Sequence, residues 1–248
     1  MNREQTRDGE KPMKIMEAPG PVSIMAIAAH PDDIESWCAG TLAQAIDRGA
    51  TVRLLLVTSG EHGSSDPQAQ AHEVATRREE EARMATLALG IAEIVFLRYP
   101  DGEVENTYAL RGELVEWIRR WRPTVLFTHD PEHPYPAYLC HRDHRIVGRA
   151  ALDAVYPLAR DHLAYTEQIH VGLEPHIVRE VWLFASSNAD TYVDITAGFE
   201  RKLAARLAHT SQTANPVALA TGWRERSASI GQIARLPLAE AFTLLQLE

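Results

Sequence analysis

Two hydrophobic rhythms alternate along this chain. Residues 22–29 form a short, nearly unbroken apolar run, the pattern of a strand covered on both faces, and residues 36–48 carry apolar positions at helical spacing up to Gly49. Residues 52–58 repeat the strand pattern; after a small, polar stretch over 59–70, a charged amphipathic helix is predicted over 73–89, stopped by Gly90. Residues 93–97, 110–121 and 125–128 read as strand, helix and strand. A crossover helix is the usual way back to a parallel neighbour, so the alternation predicts an α/β fold: a Rossmann-like doubly wound, mostly parallel sheet with helices on both faces. Further on, 142–154 reads as a helix, 178–184 and 191–195 as strands and 199–209 as a helix. Residues 156–175 read as an insertion or lid and 211–235 as irregular.

Composition narrows the class. The 248 residues are 45% hydrophobic and 24% charged, enough apolar material for one packed core, so the expected layout is a flexible tail over 1–20 and a single domain over 21–248. Acidic residues outnumber basic ones 34 to 25, a net charge of -9 that repels a phosphate backbone and argues against a nucleic-acid partner. The two cysteines, Cys38 and Cys140, have no spacing suited to a disulfide framework or a thiolate metal site. No apolar run has signal-peptide or membrane-spanning length, and the chain reads as cytoplasmic.

Two clusters carry candidate chemistry. Ala29-His30-Pro31-Asp32-Asp33 follows the first strand pattern, and His141-Arg142-Asp143-His144 opens a helical one. In the commonest doubly wound order the first and fourth strands are neighbours, and ligands bind outside their carboxyl ends, so the topology predicts that the clusters meet. A catalytic zinc takes three nitrogen or oxygen side chains and keeps a fourth position open, which fits His30, Asp33 and His144 and leaves Asp32 as a base. His141 and His144 share one helix face; one would ligate while the other contacts substrate. The plainer alternative is that Asp32 and Asp33 cap a helix starting near Ser36.

At these residues the chain resembles the LmbE-like or PIG-L family of zinc-dependent N-deacetylases, whose hallmark is alanine or serine followed by HPDD. Two histidines three apart with an acid before the second match at His141, Asp143 and His144, with Arg142 where proline is usual. The resemblance extends through Thr58-Ser59-Gly60-Glu61, Arg78 and Glu81, Tyr99-Pro100-Asp101-Gly102, residues 209–212, and Ala239-Glu240-Ala241-Phe242. It implies metal ligands His30, Asp33 and His144, a general base Asp32, an oxyanion-assisting His141, and sugar contacts from Arg78 and Asp101. The plainer roles are a helix-face ion pair for Arg78 and a turn residue for Asp101. A family tyrosine two residues before the first histidine is Leu139 here, with Tyr135 and Tyr138 close by. Asp143 or Asp130 would keep His141 charged, and His129, Asp130 and Glu61 are second-layer candidates around the imidazoles.

The implied substrate is a small acetylated amino sugar or its conjugate, cleaved to acetate and a free amine. The implied cofactor is Zn2+, although two imidazoles and a carboxylate also accept Fe2+, Mn2+ or Co2+. Family members form trimers or hexamers, which makes a homo-oligomer an expectation here. A nucleotide-binding dehydrogenase is disfavoured because the first strand leads into His-Pro-Asp-Asp without a GxGxxG turn. Two rivals remain: a non-catalytic metal- or carbohydrate-binding protein on the same fold, and an amidohydrolase for a non-sugar amide. Loops 60–72, 99–109, 129–140, 156–176 and 211–235 are expected to shape the pocket.

Overall fold

The computed structural model describes residues 13–132 and 140–248. In chain order its elements are β1 (Lys14–Met16), β2 (Ser23–Ala28), α1 (Asp33–Trp37), α2 (Ala39–Asp47), β3 (Thr51–Thr58), α3 (Ala71–Leu89), β4 (Glu93–Tyr99), α4 (Tyr108–Trp121), β5 (Val125–His129), α5 (Arg142–Val155), α6 (Thr166–His170), β6 (Glu180–Phe184), β7 (Thr191–Asp194), α7 (Phe199–Ala208), α8 (Pro216–Ala234) and β8 (Ala239–Gln246). The strands form one sheet in the order β1-β7-β8-β6-β5-β2-β3-β4, parallel throughout except for β8, which runs against β6 and β7. The doubly wound α/β reading is therefore correct.

Strand periodicity explains the layers. Along β2, Ile24, Ala26 and Ala28 enter a core shared with α1, α2, α3 and α7, while Met25, Ile27 and Ala29 enter a second core under α4 and α5. Side chains alternate faces with period 2, so a strand apolar at every position is buried on both sides. Each fully buried Leu or Ile contributes roughly 1.5–3 kcal/mol, which fixes the register.

β2 lies directly beside β5, with Ile24 opposite Val125 and Ala26 opposite Phe127. Their carboxyl ends deliver His30 and His129 to one edge of the sheet. Gly148 then lets α5 approach that edge: a Cβ there would collide with the His129 carbonyl, so only glycine permits the contact that brings His144, one turn earlier, against β5.

Four expectations change. Lys14–Met16 pairs with Thr191–Val193 as a strand inside the stretch read as a tail; residues 1–12 lie outside the described residues. The helix read from Ser36 begins at Asp33 and breaks at Cys38 into α1 and α2. Residues 211–235, read as irregular, contain the 19-residue α8, capped by Asn215 with Pro216 in its first turn. Only Ser227, Gly231 and Ala234 of that helix are buried, so it lacks the apolar stripe that periodicity detects. The stretch read as an insertion or lid is not placed as a lid: it packs at the opposite sheet edge, where His176 contacts the carbonyl of Pro123 just ahead of β5. No described helix is long and apolar enough to cross a membrane.

Candidate metal centre

The turn after β2 sets the geometry. Pro31 fixes one torsion, Asp32 adopts a left-handed φ of 93°, and Asp33 starts α1. A non-glycine residue in that region is strained by about 1–3 kcal/mol, a cost that active sites commonly carry. Asp32 occupies the N-cap position but makes no side-chain capping bond, and Asp33 Oδ2 instead accepts the His30 N–H at 2.7 Å. Both carboxylates are thus free of the helix-capping role considered for them.

His30, Asp33 and His144 converge. His30 Nδ1 lies 3.2 Å from His144 Nε2 and 3.5 Å from Asp33 Oδ2, and His144 Nε2 lies 3.0 Å from Asp33 Oδ1. These spacings match ligands held about 2.0–2.2 Å from one shared ion. His129 joins from β5, its Nε2 3.2 Å from Asp33 Oδ2 and its ring stacked on His144 at 4.2 Å between centroids. Facing lone pairs on imidazole and carboxylate atoms repel unless a proton or cation lies between them, so the donor set fits a divalent cation. His30, Asp33, His129 and His144 form a candidate metal site.

The surrounding contacts orient these donors. His30 Nε2 lies 3.0 Å from Asp101 Oδ1 and 3.4 Å from Asp143 Oδ2, the carboxylate–imidazole arrangement typical around metal-binding histidines. Glu61 Oε1 accepts the Asp101 N–H at 2.8 Å, and Asp101 Oδ2 accepts that of His62 at 3.1 Å. Cys140 Sγ sits 3.9 Å from His144 Nδ1. Burial opposes charge on His30, but hydrogen bonding with Asp101, Asp143 and Asp33 pushes its pKa well above the ordinary value. Burial likewise opposes charge on Asp33, yet His144 and His129 hold its carboxyl well below the usual range. His129 is pushed down to about 4, first by burial and then by the neighbouring His144.

Asp32 stands beside the donors between two guanidinium groups, Arg78 at 3.4 Å from Oδ1 and Arg206 at 3.8 Å from Oδ2. Its pKa is raised, first by burial and then by Asp33, against the opposing pull of Arg78, Arg206 and His209. Arg78, expected at the sugar, also donates to the carbonyls of Pro31 at 2.6 Å and Gly60 at 2.9 Å. Asp101, expected there too, turns to His30 as described. Both still line the cavity of about 390 Å³ over the centre, with Asp32, His62, His141 and Gln212.

His141 caps α5, its Nδ1 accepting the Asp143 N–H at 3.3 Å, and its ring meets His30 edge-on at 4.7 Å. Burial and then the His30 charge lower its pKa, against the opposing pull of Asp143. Because Nδ1 is an acceptor, a neutral ring carries its proton on Nε2. Asp130 lies on the loop after β5, where its Oδ1 accepts the Glu132 N–H at 2.9 Å and its N–H donates to the Phe184 carbonyl. Leu139, Tyr135 and Tyr138 lie outside the described residues.

Arg206 joins the site from outside the candidate residues singled out by the sequence. Lys202, Arg206 and His209 recur on the buried side of α7 and its cap, and charged residues in step with Phe199 on an apolar face are the signal that exposes them. Lys202 pairs at 2.6 Å with Glu240, which also accepts N–H bonds from Gly40 and Thr41 at the start of α2.

A family model described as PIG-L, GlcNAc-PI de-N-acetylase, matches residues 25–155, the span that supplies all four candidate donors. The chain belongs to the PIG-L family. Among its relatives, the diacetylchitobiose deacetylase of Thermococcus kodakarensis is 34% identical over 189 residues, 76% of this chain and 69% of that protein. Among solved structures, the N,N'-diacetylchitobiose deacetylase of Pyrococcus horikoshii, complexed with its inhibitor MPG, superposes with a TM-score of 0.84 at 27% identity, over 90% of this chain and 84% of that one. GalB, the 4-carboxy-2-hydroxymuconate hydratase of Pseudomonas putida, shares the fold with a TM-score of 0.75 at 20% identity, over 91% of this chain and 97% of that one. The PIG-L architecture alone therefore does not decide the reaction; the site has to.

Proposed function

We propose that this PIG-L protein is a metal-dependent N-deacetylase that removes the acetyl group from a small acetylated amino sugar or its conjugate, releasing acetate and a free amine. The observation that carries this reading is the convergence of His30, Asp33 and His144, with the Asp32 carboxylate beside them in one cavity. His30, Asp33 and His144 would hold the ion, with His129 against Asp33. Bound there, a divalent cation such as Zn2+ supplies Lewis acidity that makes a water easier to deprotonate and a carbonyl oxygen easier to attack.

The remaining steps belong to the protein. Asp32 takes the proton of the attacking water on a carboxylate oxygen; its raised pKa makes it a better base than an ordinary aspartate, and Arg78 and Arg206 fix its plane. His141 donates from Nε2 to the developing oxyanion, and a neutral ring suffices for this because Nδ1 already accepts from Asp143. An amide nitrogen must be protonated before it leaves. Asp32, having just gained a proton, returns it there. The relatives named for diacetylchitobiose support an acetylated amino sugar as the substrate class.

The test is acetate and amine release by protein reconstituted with Zn2+, Mn2+, Co2+ or Fe2+, offered N-acetylglucosamine, N,N'-diacetylchitobiose and a non-sugar acetamide. Release from the sugars supports the proposal. Cleavage of the acetamide alone moves the reading to a general amidohydrolase, and metal binding without cleavage of any of the three moves it to a binding protein.

A further inference from the structure

Arg142 and Asp143, adjacent in the first turn of α5, grip the same loop from two sides. Asp143 Oδ2 accepts the Gly102 N–H at 2.7 Å. Arg142 Nη1 donates to the Gly102 carbonyl at 3.3 Å and to the Val104 carbonyl at 2.5 Å, and lies 3.5 Å from Asp143 Oδ1. Asp143 is fully buried and its Oδ1 has no hydrogen-bond partner, which leaves the half-exposed Arg142 as the charge on that oxygen while His30 faces Oδ2.

The gripped loop matters because of the residue before it. Asp101 immediately precedes Gly102 and lies 3.0 Å from His30 Nε2, while Asp143 reaches the same nitrogen at 3.4 Å. His30 Nε2, which has no aligned hydrogen-bond partner, is thus held by the charges of two carboxylates from different elements, one on the loop after β4 and one on α5. Glu61 and His62 hold Asp101 from one side, and the grip of α5 on residues 102–104 holds it from the other. Asp143 can bind only one side of Gly102, and Arg142 supplies the other.

We propose that Arg142 is a positioning residue for the metal centre. By locking the 102–104 loop to α5 it keeps Asp101 on His30 Nε2, and so holds the His30 ring in its ligating orientation. This rests on His30 being a metal ligand, and the experiment separates the two claims.

Zinc affinity is measured by competition with a chromophoric chelator for the wild-type chain, Arg142→Ala, Arg142→Lys and Arg149→Ala, with kcat and KM on the best substrate. Changes to groups that orient metal-binding histidines typically weaken affinity about 10–100-fold. Acting one contact further away, Arg142→Ala is expected to lose about tenfold in zinc affinity and to lower kcat more than KM changes. Arg142→Lys keeps a donor and recovers part of the loss. Arg149→Ala, on the exposed side of the same helix and paired with Glu132, leaves both unchanged. The loss in Arg142→Ala should also be non-additive with Asp101→Asn, since both act on one contact. Wild-type zinc affinity in Arg142→Ala, even with a lower melting temperature, overturns the proposal, as does full additivity with Asp101→Asn. Should Arg142→Ala fail to fold, Arg142→Lys carries the same reading in the same cycle. A wild-type chain that binds no zinc overturns the metal centre itself.

Discussion

His30 Nδ1 and His144 Nε2 face each other at 3.2 Å across 114 residues of chain. Two nitrogens at that distance cannot both carry a proton along the line between them. In the cation-free chain at most one proton lies between them, and Asp33 beside them supplies compensating negative charge. This pairing makes the centre a place where protons and metal ions compete.

Metal uptake should therefore release protons. Burial opposes the charge on both rings, but carboxylate contacts raise the pKa of His30, through Asp101, Asp143 and Asp33, and that of His144, through Asp33. A proton present below the raised pKa has to leave before a cation takes the lone pair, so affinity increases with pH. About tenfold per pH unit is expected between pH 6 and 8 for each proton released. Calorimetry in two buffers of different ionisation enthalpy reads the proton count, and a pH-independent affinity would show that the rings are not the ligands.

Asp32→Asn should separate binding from turnover. The side chain is not among the converging donors, so metal content is expected to stay at one ion per chain, whereas loss of a general base typically lowers the rate about 10²–10⁴-fold. Metal analysis and acetate release on the same sample check both halves. Activity within a few-fold of wild type would remove Asp32 from its role.

Gly60→Ala should damage the site from below. Gly60 sits at a φ of 67°, and a Cβ there would collide with the Arg78 guanidinium. The left-handed backbone alone disfavours alanine by about 1–2 kcal/mol, and displacement of Arg78 adds to it. The expectation is a loss of about 2–3 kcal/mol in a urea titration together with reduced kcat, because Arg78 leaves Asp32. Lower stability with unchanged kcat would detach Arg78 from the base.

Arg119→Met should cost stability and leave the centre intact. Arg119 is only 2% exposed, and its guanidinium donates to the carbonyls of Leu158, Ala159, Asp161, Ala164 and Tyr165 and to Gln168 Oε1, fixing the segment at the far edge of the sheet. Stranding several acceptors is expected to destabilise by about 2–4 kcal/mol. Denaturant unfolding and zinc affinity are the paired readouts; weakened zinc binding would mean that this segment reaches the site after all.

The fold was legible wherever an element carries its burial in its own sequence. β2, β3 and β5 are apolar at nearly every position because both faces are covered, and α3 ends where Gly90 adopts a φ of 83°. α8 and β1 were hidden for the complementary reason: most residues of α8 and all of β1 escape full burial, so neither has a periodic stripe. β8 is nearly continuously buried, but Glu240 and Thr243 interrupt its apolar run, so its hydrophobic pattern does not mark it as a strand.

The chain alone determined the alternating α/β order, the neighbouring placement of β2 and β5 and thus the meeting of His30 with His144, since these follow from local hydrophobic period and the handed packing of crossovers. Which way Asp101, Arg78, Asp130, Arg206 and Arg142 point was decided only in three dimensions. Each of those side chains chooses among partners on other elements or among nearby groups of its own loop, and that choice depends on loop paths and ring orientations that no local pattern encodes.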